Sequence, residues 1–200
     1  MKILTGCLLP AGILLAAISG QAAAGTSESG AAPSAVGISG VDISFDYKRI
    51  SGWASNQMAL WVEDRSGNAV RTLYVSDFTG ARRGYEKRPD SLKSWAAAAK
   101  PRNMTDESID AVSGATPSDG RQAFFWDLTD DSGAAIPAGT YRICLEGTLR
   151  WSSSVMFCSE IDLNAARPGA LPVSEKLSEP GNDDGSDMQG NVAMIARKAQ

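Results

Sequence analysis

Histidine is absent from the 200 residues. Without it there is no Ser-His-Asp triad, no Cys-His pair, no His-ligated zinc and no His-ligated haem. Any chemistry has to come from carboxylates, hydroxyls, thiols or a bound group. Basic charge is also scarce: 19 Lys and Arg face 23 Asp and Glu, for a net charge of −4. A nucleic-acid partner is argued against on that ground, because phosphate contact needs a cationic surplus. Long apolar runs are lacking too. The stretch Leu8 to Ile18 is too short to span a bilayer, and none of that kind follows it, so no stable membrane insertion is expected. There is no internal repeat. With 43% hydrophobic and 21% charged residues, the composition is that of a globular chain.

The opening reads as a targeting segment. Met1-Lys2 supplies a short positive start, Leu8 to Ile18 the apolar stretch, and Ala22-Ala23-Ala24 a small-residue cleavage site. A signal peptide over 1–24 and a Gly/Ala/Ser-rich leader over 25–39 are expected, which makes the mature protein periplasmic or secreted. Leu4-Thr5-Gly6-Cys7 resembles a lipid-attachment box, but the apolar run follows Cys7 instead of preceding it. Of the three cysteines, Cys144 and Cys158 remain after cleavage, in an oxidising compartment.

From residue 41 the pattern changes. Val41, Ile43, Phe45 and Tyr47 alternate with polar residues, the period-two signature of a half-buried strand. Met58–Glu63 and Ala69–Val75 flank the turn-rich Asp64–Asn68 and predict a hairpin. Further strands are expected at Ala123–Asp127, Thr140–Leu149 and Val155–Leu163. Residues 76–122 form a long excursion with two short helices, one over Ser91–Ala99 and one from Thr105, as N-cap, to Val112, with Gly114 as terminator. The tail 166–200, with three prolines and an acidic run, is expected to be disordered, with at most a helical turn at Met194–Ala196. The fold class predicted is mainly β: an antiparallel immunoglobulin-like β-sandwich over 40–165 with one long helical excursion.

Strand alternation places Cys144 and Cys158 on the same, outer face. They lie directly opposite one another if the loop is Arg150-Trp151-Ser152, and a disulfide between them is expected. Glu63, Glu146 and Glu160 fall on outer positions and are expected to be solvated; as a carboxylate pair they offer only a remote hydrolase reading. Asp127, Asp130 and Asp131 lack the alternating spacing of a calcium loop and read as turn formers. Arg82-Arg83 and Lys87-Arg88 form a basic cluster able to meet a phosphate.

The segment Asp110-Ala111-Val112-Ser113-Gly114-Ala115-Thr116 resembles the flavin-attachment motif of bacterial exported flavoproteins. The resemblance implies FMN held covalently on Thr116, with Asp110, Ser113 and Gly114 as recognition residues, and a flavin transferase and an envelope redox partner as its partners. In that reading the flavin carries the electrons, and the protein is not an enzyme by itself. Gly114 allows a positive φ and close approach of another macromolecule, and the small-residue loop is expected to leave Thr116 projecting from an accessible backbone. The stretch from residue 40 to 165 resembles the domain of unknown function 2271 family of predicted periplasmic proteins. That likeness rests on Leu60–Asp64 with Gly67-Asn68, Arg71–Val75, Arg88–Leu92 with Trp95, Asp110–Pro117, and Glu146–Leu149 with Trp151. Its members share a Gly-Ala-Thr-Pro segment, here Gly114–Pro117, so a structural role for this loop stands beside the flavin one. Trp126-Asp127, Asp130-Asp131, Gly133, Pro137, Gly139 and Tyr141 are similar to the immunoglobulin-like domain of flagellar hook-capping proteins, which bears on fold alone. The alternative function is a cofactor-free binding or structural module of the cell envelope.

Overall fold

Alternation along the first strand sets the architecture. In β1 (Ile38–Tyr47), Val41, Ile43, Phe45 and Tyr47 are buried, while Asp42, Ser44 and Asp46 face outward. The computed structural model describes residues 37–52, 55–150, 153–178 and 188–200. The predicted signal peptide, nearly all of the leader, and Trp53 and Trp151 lie outside them.

The strands that follow are β2 (Gln57–Glu63), β3 (Ala69–Ser76), β4 (Ser113–Gly114), β5 (Gly120–Trp126), β6 (Thr140–Thr148), β7 (Ser154–Asp162), β8 (Gly169–Leu171), β9 (Ser174–Ser178) and β10 (Gln189–Lys198). They build two sheets, ordered β5-β1-β10-β8 and β4-β3-β2-β6-β7-β9. All pairings are antiparallel except the parallel β3–β4 contact. Val41, Ile43 and Phe45 of the first sheet share one apolar core with Leu60, Val62, Ile143, Leu145 and Val155 of the second. The chain is thus mainly β, with two sheets face to face.

The excursion is a third layer. It runs through α1 (Asp77–Gly80), a 3-10 turn over Ala81–Arg83, α2 (Gly84–Lys87), α3 (Lys93–Ala99) and α4 (Asp106–Val112). A second core lies beneath it, where Tyr85, Leu92, Trp95, Ala98 and Ile109 pack on Ala59, Trp61, Val75, Cys144 and Cys158. The outer face of the larger sheet is therefore covered, which corrects the expectation that Glu63 and Glu146 are solvated: both are buried, and only Glu160 is exposed. β2 is buried along its whole length because Ala59 and Trp61 face one core while Met58, Leu60 and Val62 face the other.

Local signals place the helices. Thr105 caps α4 as expected, its hydroxyl accepting from Ser108 N at 3.1 Å. α3 starts two residues later than predicted. Leu92 is left-handed at φ 51°, its amide donates to Thr148 Oγ1 at 3.1 Å, and Glu146 accepts the next free amides, Ser94 N at 3.2 Å and Trp95 N at 2.9 Å. A carboxylate from β6 thus takes the place of a local cap.

The tail expectation is corrected. Within 166–200 the described residues form β8, β9 and β10. β10 lies between β1 and β8, with Val41 opposite Ala196 and Ile43 opposite Met194. Met194 and Ala196 are strand residues sealed in the core, not a helical turn. Pairing with β1 and β8 on the two edges of β10, not local helix propensity, decides its conformation.

Candidate functional site

Cys144 and Cys158 are register partners on β6 and β7, and they form a disulfide with their Cα atoms 4.3 Å apart. The direct opposition expected from the sequence is borne out. Their surroundings differ from expectation, since both are buried beneath the excursion.

The predicted attachment segment sits where α4 turns back onto the larger sheet. Asp110 is exposed on α4, and its carbonyl accepts from Ser113 N. The Ser113 hydroxyl donates to Ile109 O at 2.8 Å. Ser113 and Gly114 pair in parallel with Val75 and Ser76. Gly114 is extended and is not among the residues at positive φ, so the left-handed freedom that a glycine offers is not used there. Close approach is what demands glycine. A Cβ at Gly114 would lie 2.7 Å from the Tyr74 ring, and one at Gly80 2.3 Å from Ser113 Oγ. The Tyr74 hydroxyl donates to Gly114 O at 3.0 Å and to Ala115 O at 2.7 Å, pinning the two residues before Thr116. Burial pushes this phenol above its ordinary value, so it stays a donor.

Thr116 is half-buried and lines an open cleft of about 610 Å³, together with Asp77, Phe78, Arg82, Lys87 and Ala115. Among the described residues none hydrogen-bonds to its hydroxyl. The cleft's far wall is the tight α1–α2 corner. Arg82 and Arg83 are consecutive left-handed residues at φ 52° and 57°, a conformation costing non-glycine residues about 1–2 kcal/mol each. A Cβ at Gly84 would meet Phe78 O at 1.8 Å, so only glycine closes this corner. Buried Thr79 anchors it, bonding to Gln57 Oε1 at 3.0 Å and Ser91 Oγ at 3.2 Å. Phe78, 57% exposed, carries the Arg88 guanidinium 5.5 Å from its ring centroid. The basic cluster was readable in the sequence. Phe78 was not singled out, because one aromatic in a polar stretch carries no periodic signal.

The carboxylates do not assemble a hydrolytic pair. Glu63 accepts from Trp61 Nε1 at 2.7 Å and Arg142 Nε at 2.8 Å, at the edge of a separate cleft of about 340 Å³ that Glu160 also lines. Glu146 lies under α3, and burial raises its carboxyl above the ordinary value despite the two amides it accepts. Asp127, Asp130 and Asp131 are turn and strap residues, as the spacing implied: their carboxylates accept Thr129 N and Oγ1, Ser132 N and Oγ, and Thr72 N respectively. Hydrogen bonds from Thr129 and Ser132 hold Asp127 and Asp130 below the usual carboxylate range, whereas burial raises Asp131. Among the described residues no group of three or more His, Cys, Asp or Glu is placed to hold a metal ion, and no helix is long and apolar enough to cross a membrane.

Neither the curated proteins nor the solved structures contain a match to this chain. The DUF2271 family model, described as predicted periplasmic protein, matches residues 40–177, from β1 into β9. The chain therefore belongs to DUF2271, a family of periplasmic proteins whose function is unknown.

Proposed function

We propose that this protein is a periplasmic carrier of covalently bound FMN, with the flavin phosphate esterified to Thr116. The observation that supports this best is the position of Thr116: a hydroxyl with no partner among the described residues, at the wall of a cleft whose volume suits a cofactor-sized ligand. Arg82 and Lys87 line the same cleft and supply positive charge for a phosphodiester. The residues present therefore fit the group. FMN, when bound, supplies the redox chemistry. The chain's own part is to hold and orient it. Tyr74 fixes the backbone before the ester, Gly114 admits the Tyr74 ring, and Asp110 stays exposed, where a flavin transferase can reach it.

The attachment balances only with an activated donor. With a flavin dinucleotide, the Thr116 Oγ–phosphorus bond forms as a pyrophosphate P–O bond breaks. The nucleoside monophosphate departs and the hydroxyl proton is taken up by the transferase. An envelope redox partner then exchanges electrons with the carrier. For the two-sheet architecture we favour the immunoglobulin-like variant, on its antiparallel β3-β2-β6-β7 sheet packed face to face with β5-β1-β10.

One observation favours the second reading, a cofactor-free module of the envelope. Packing alone accounts for Ser113 and Gly114, through Gly80 and Tyr74. One experiment separates the two. The protein is exported together with a flavin transferase, and intact mass and visible absorbance are recorded. A yellow product with the mass of one FMN ester, lost in Thr116→Ala, is the expected result. A colourless protein of unmodified mass overturns the carrier reading and leaves the module.

A further inference from the structure

We propose that the exposed ring of Phe78 is the stacking platform for the isoalloxazine, which deepens the flavin reading and rests on it. Phe78 is the most exposed large hydrophobic side chain among the described residues, at 57%. Exposure alone does not set it apart, since Phe125, Leu177 and Ile195 are exposed as well; what distinguishes Phe78 is that it lines the same cleft as Thr116. Its place is held at some cost. The corner that presents it contains two left-handed arginines and a glycine that no other residue can replace. Strain of that kind persists only where the surrounding structure enforces it, and it concentrates at binding sites. Here Thr79 and Gly84 do the enforcing.

The ring is also half-dressed. Arg88 approaches it at 5.5 Å, yet Arg88 does not line the cleft, whereas Phe78 and Thr116 both do. The guanidinium occupies one face of the ring, and the exposure of Phe78 leaves surface for a flat conjugated partner. A flexible ribityl chain from Thr116 lets the flavin ring lie across the cleft onto Phe78, with Arg82 and Lys87 beside the phosphate. The platform decides how much of the flavin is hidden from water, and so makes this site an ordered cofactor seat instead of a tether.

The test uses the flavin-loaded, exported protein and its flavin optics. In Phe78→Trp an indole in contact with the excited flavin donates an electron, so emission is expected to fall several-fold. In Phe78→Ala the visible circular dichroism of the flavin is expected to collapse, and its quenching by iodide to rise at least about two-fold. Phe125→Trp, on the far sheet, serves as the control and leaves emission unchanged. Loaded Phe78→Trp as bright as the parent, or loaded Phe78→Ala with unaltered dichroism and iodide quenching, overturns the platform while leaving the ester intact. A parent without the ester mass overturns both readings.

Discussion

Replacing both cysteines of the Cys144–Cys158 bridge by alanine perturbs the scaffold at a point where the loss can be worked out. The bridge joins facing strands across a sequence separation of 14. In the chain-entropy account, opening a loop of that size restores about 3 kcal/mol of freedom to the unfolded chain. The sulfurs are also packed: Cys144 is fully buried and Cys158 nearly so, under Trp95 and Ile109. Removing them adds about 1 kcal/mol of lost packing. A loss of about 4 kcal/mol is a large share of the 5–15 kcal/mol typical of a domain. Urea denaturation followed by tryptophan emission reads it directly. At about 1–3 kcal/mol per molar urea, the midpoint should fall by between about 1 and 4 M. Thiol trapping under native conditions gives a second readout. Reductant reaches the bridge only when the excursion lifts, so alkylation of the parent should be slow and should accelerate in mild denaturant. A double variant whose midpoint stays within about 0.3 M of the parent, or a bridge reduced at once in the native state, refutes the reasoning.

Two further outcomes follow from the buried elements. Glu146→Gln turns an amide NH₂ toward Ser94 N or Trp95 N, an unsatisfied contact costing about 1–3 kcal/mol. Because burial raises the Glu146 carboxyl in the folded state, its contribution is complete below its ordinary value of 4.5 and is lost as pH climbs through the raised one. Lys93 is the charged neighbour opposing that shift. Denaturation midpoints measured from pH 4 to 8 should thus decline more steeply in the parent than in Glu146→Gln, and parallel curves would disprove the assignment. Deleting residues 188–200 uncovers Val41 and Ile43 and removes Met194 and Ala196, a deficit above about 5 kcal/mol. The truncated chain should elute as aggregate without a cooperative transition, and a monomer with a sharp one contradicts the placement of β10.

How far the sequence could be read depended on where each side chain's partner lay. β1, the β2–β3 hairpin and the β6–β7 register follow from alternation and turn residues, which are local, so Cys144 and Cys158 could be aligned from numbering alone. Thr105 announced its helix for the same reason. The cover over the larger sheet was harder to see, although the double-sided apolar run Met58–Val62 already carried the signal of a strand buried on both faces. Glu146 looked solvated because a charged residue on an outer position normally is, and its partners, the Ser94 and Trp95 amides, lie some 50 residues away. Val192–Ala196 is a continuous apolar run without period-two alternation, so β10 does not read as a half-buried strand, and its pairing with β1 and β8 makes it one. At the cleft, Thr116 and the basic cluster were legible as residue types. Phe78 owes its prominence to a backbone corner that no pattern of hydrophobicity encodes.

β1 and β10 exchange contacts across 155 residues, as the Arg197 to Asp42 bond illustrates. A periplasmic chain that crosses its membrane amino end first delivers β1 early and the neighbour that seals it last. Until then β1 has only β5 beside it, and the strand that covers its other edge is missing. Pairing over so long a separation is a non-local contact, so closure of this sheet is expected to be a late and slow step of folding.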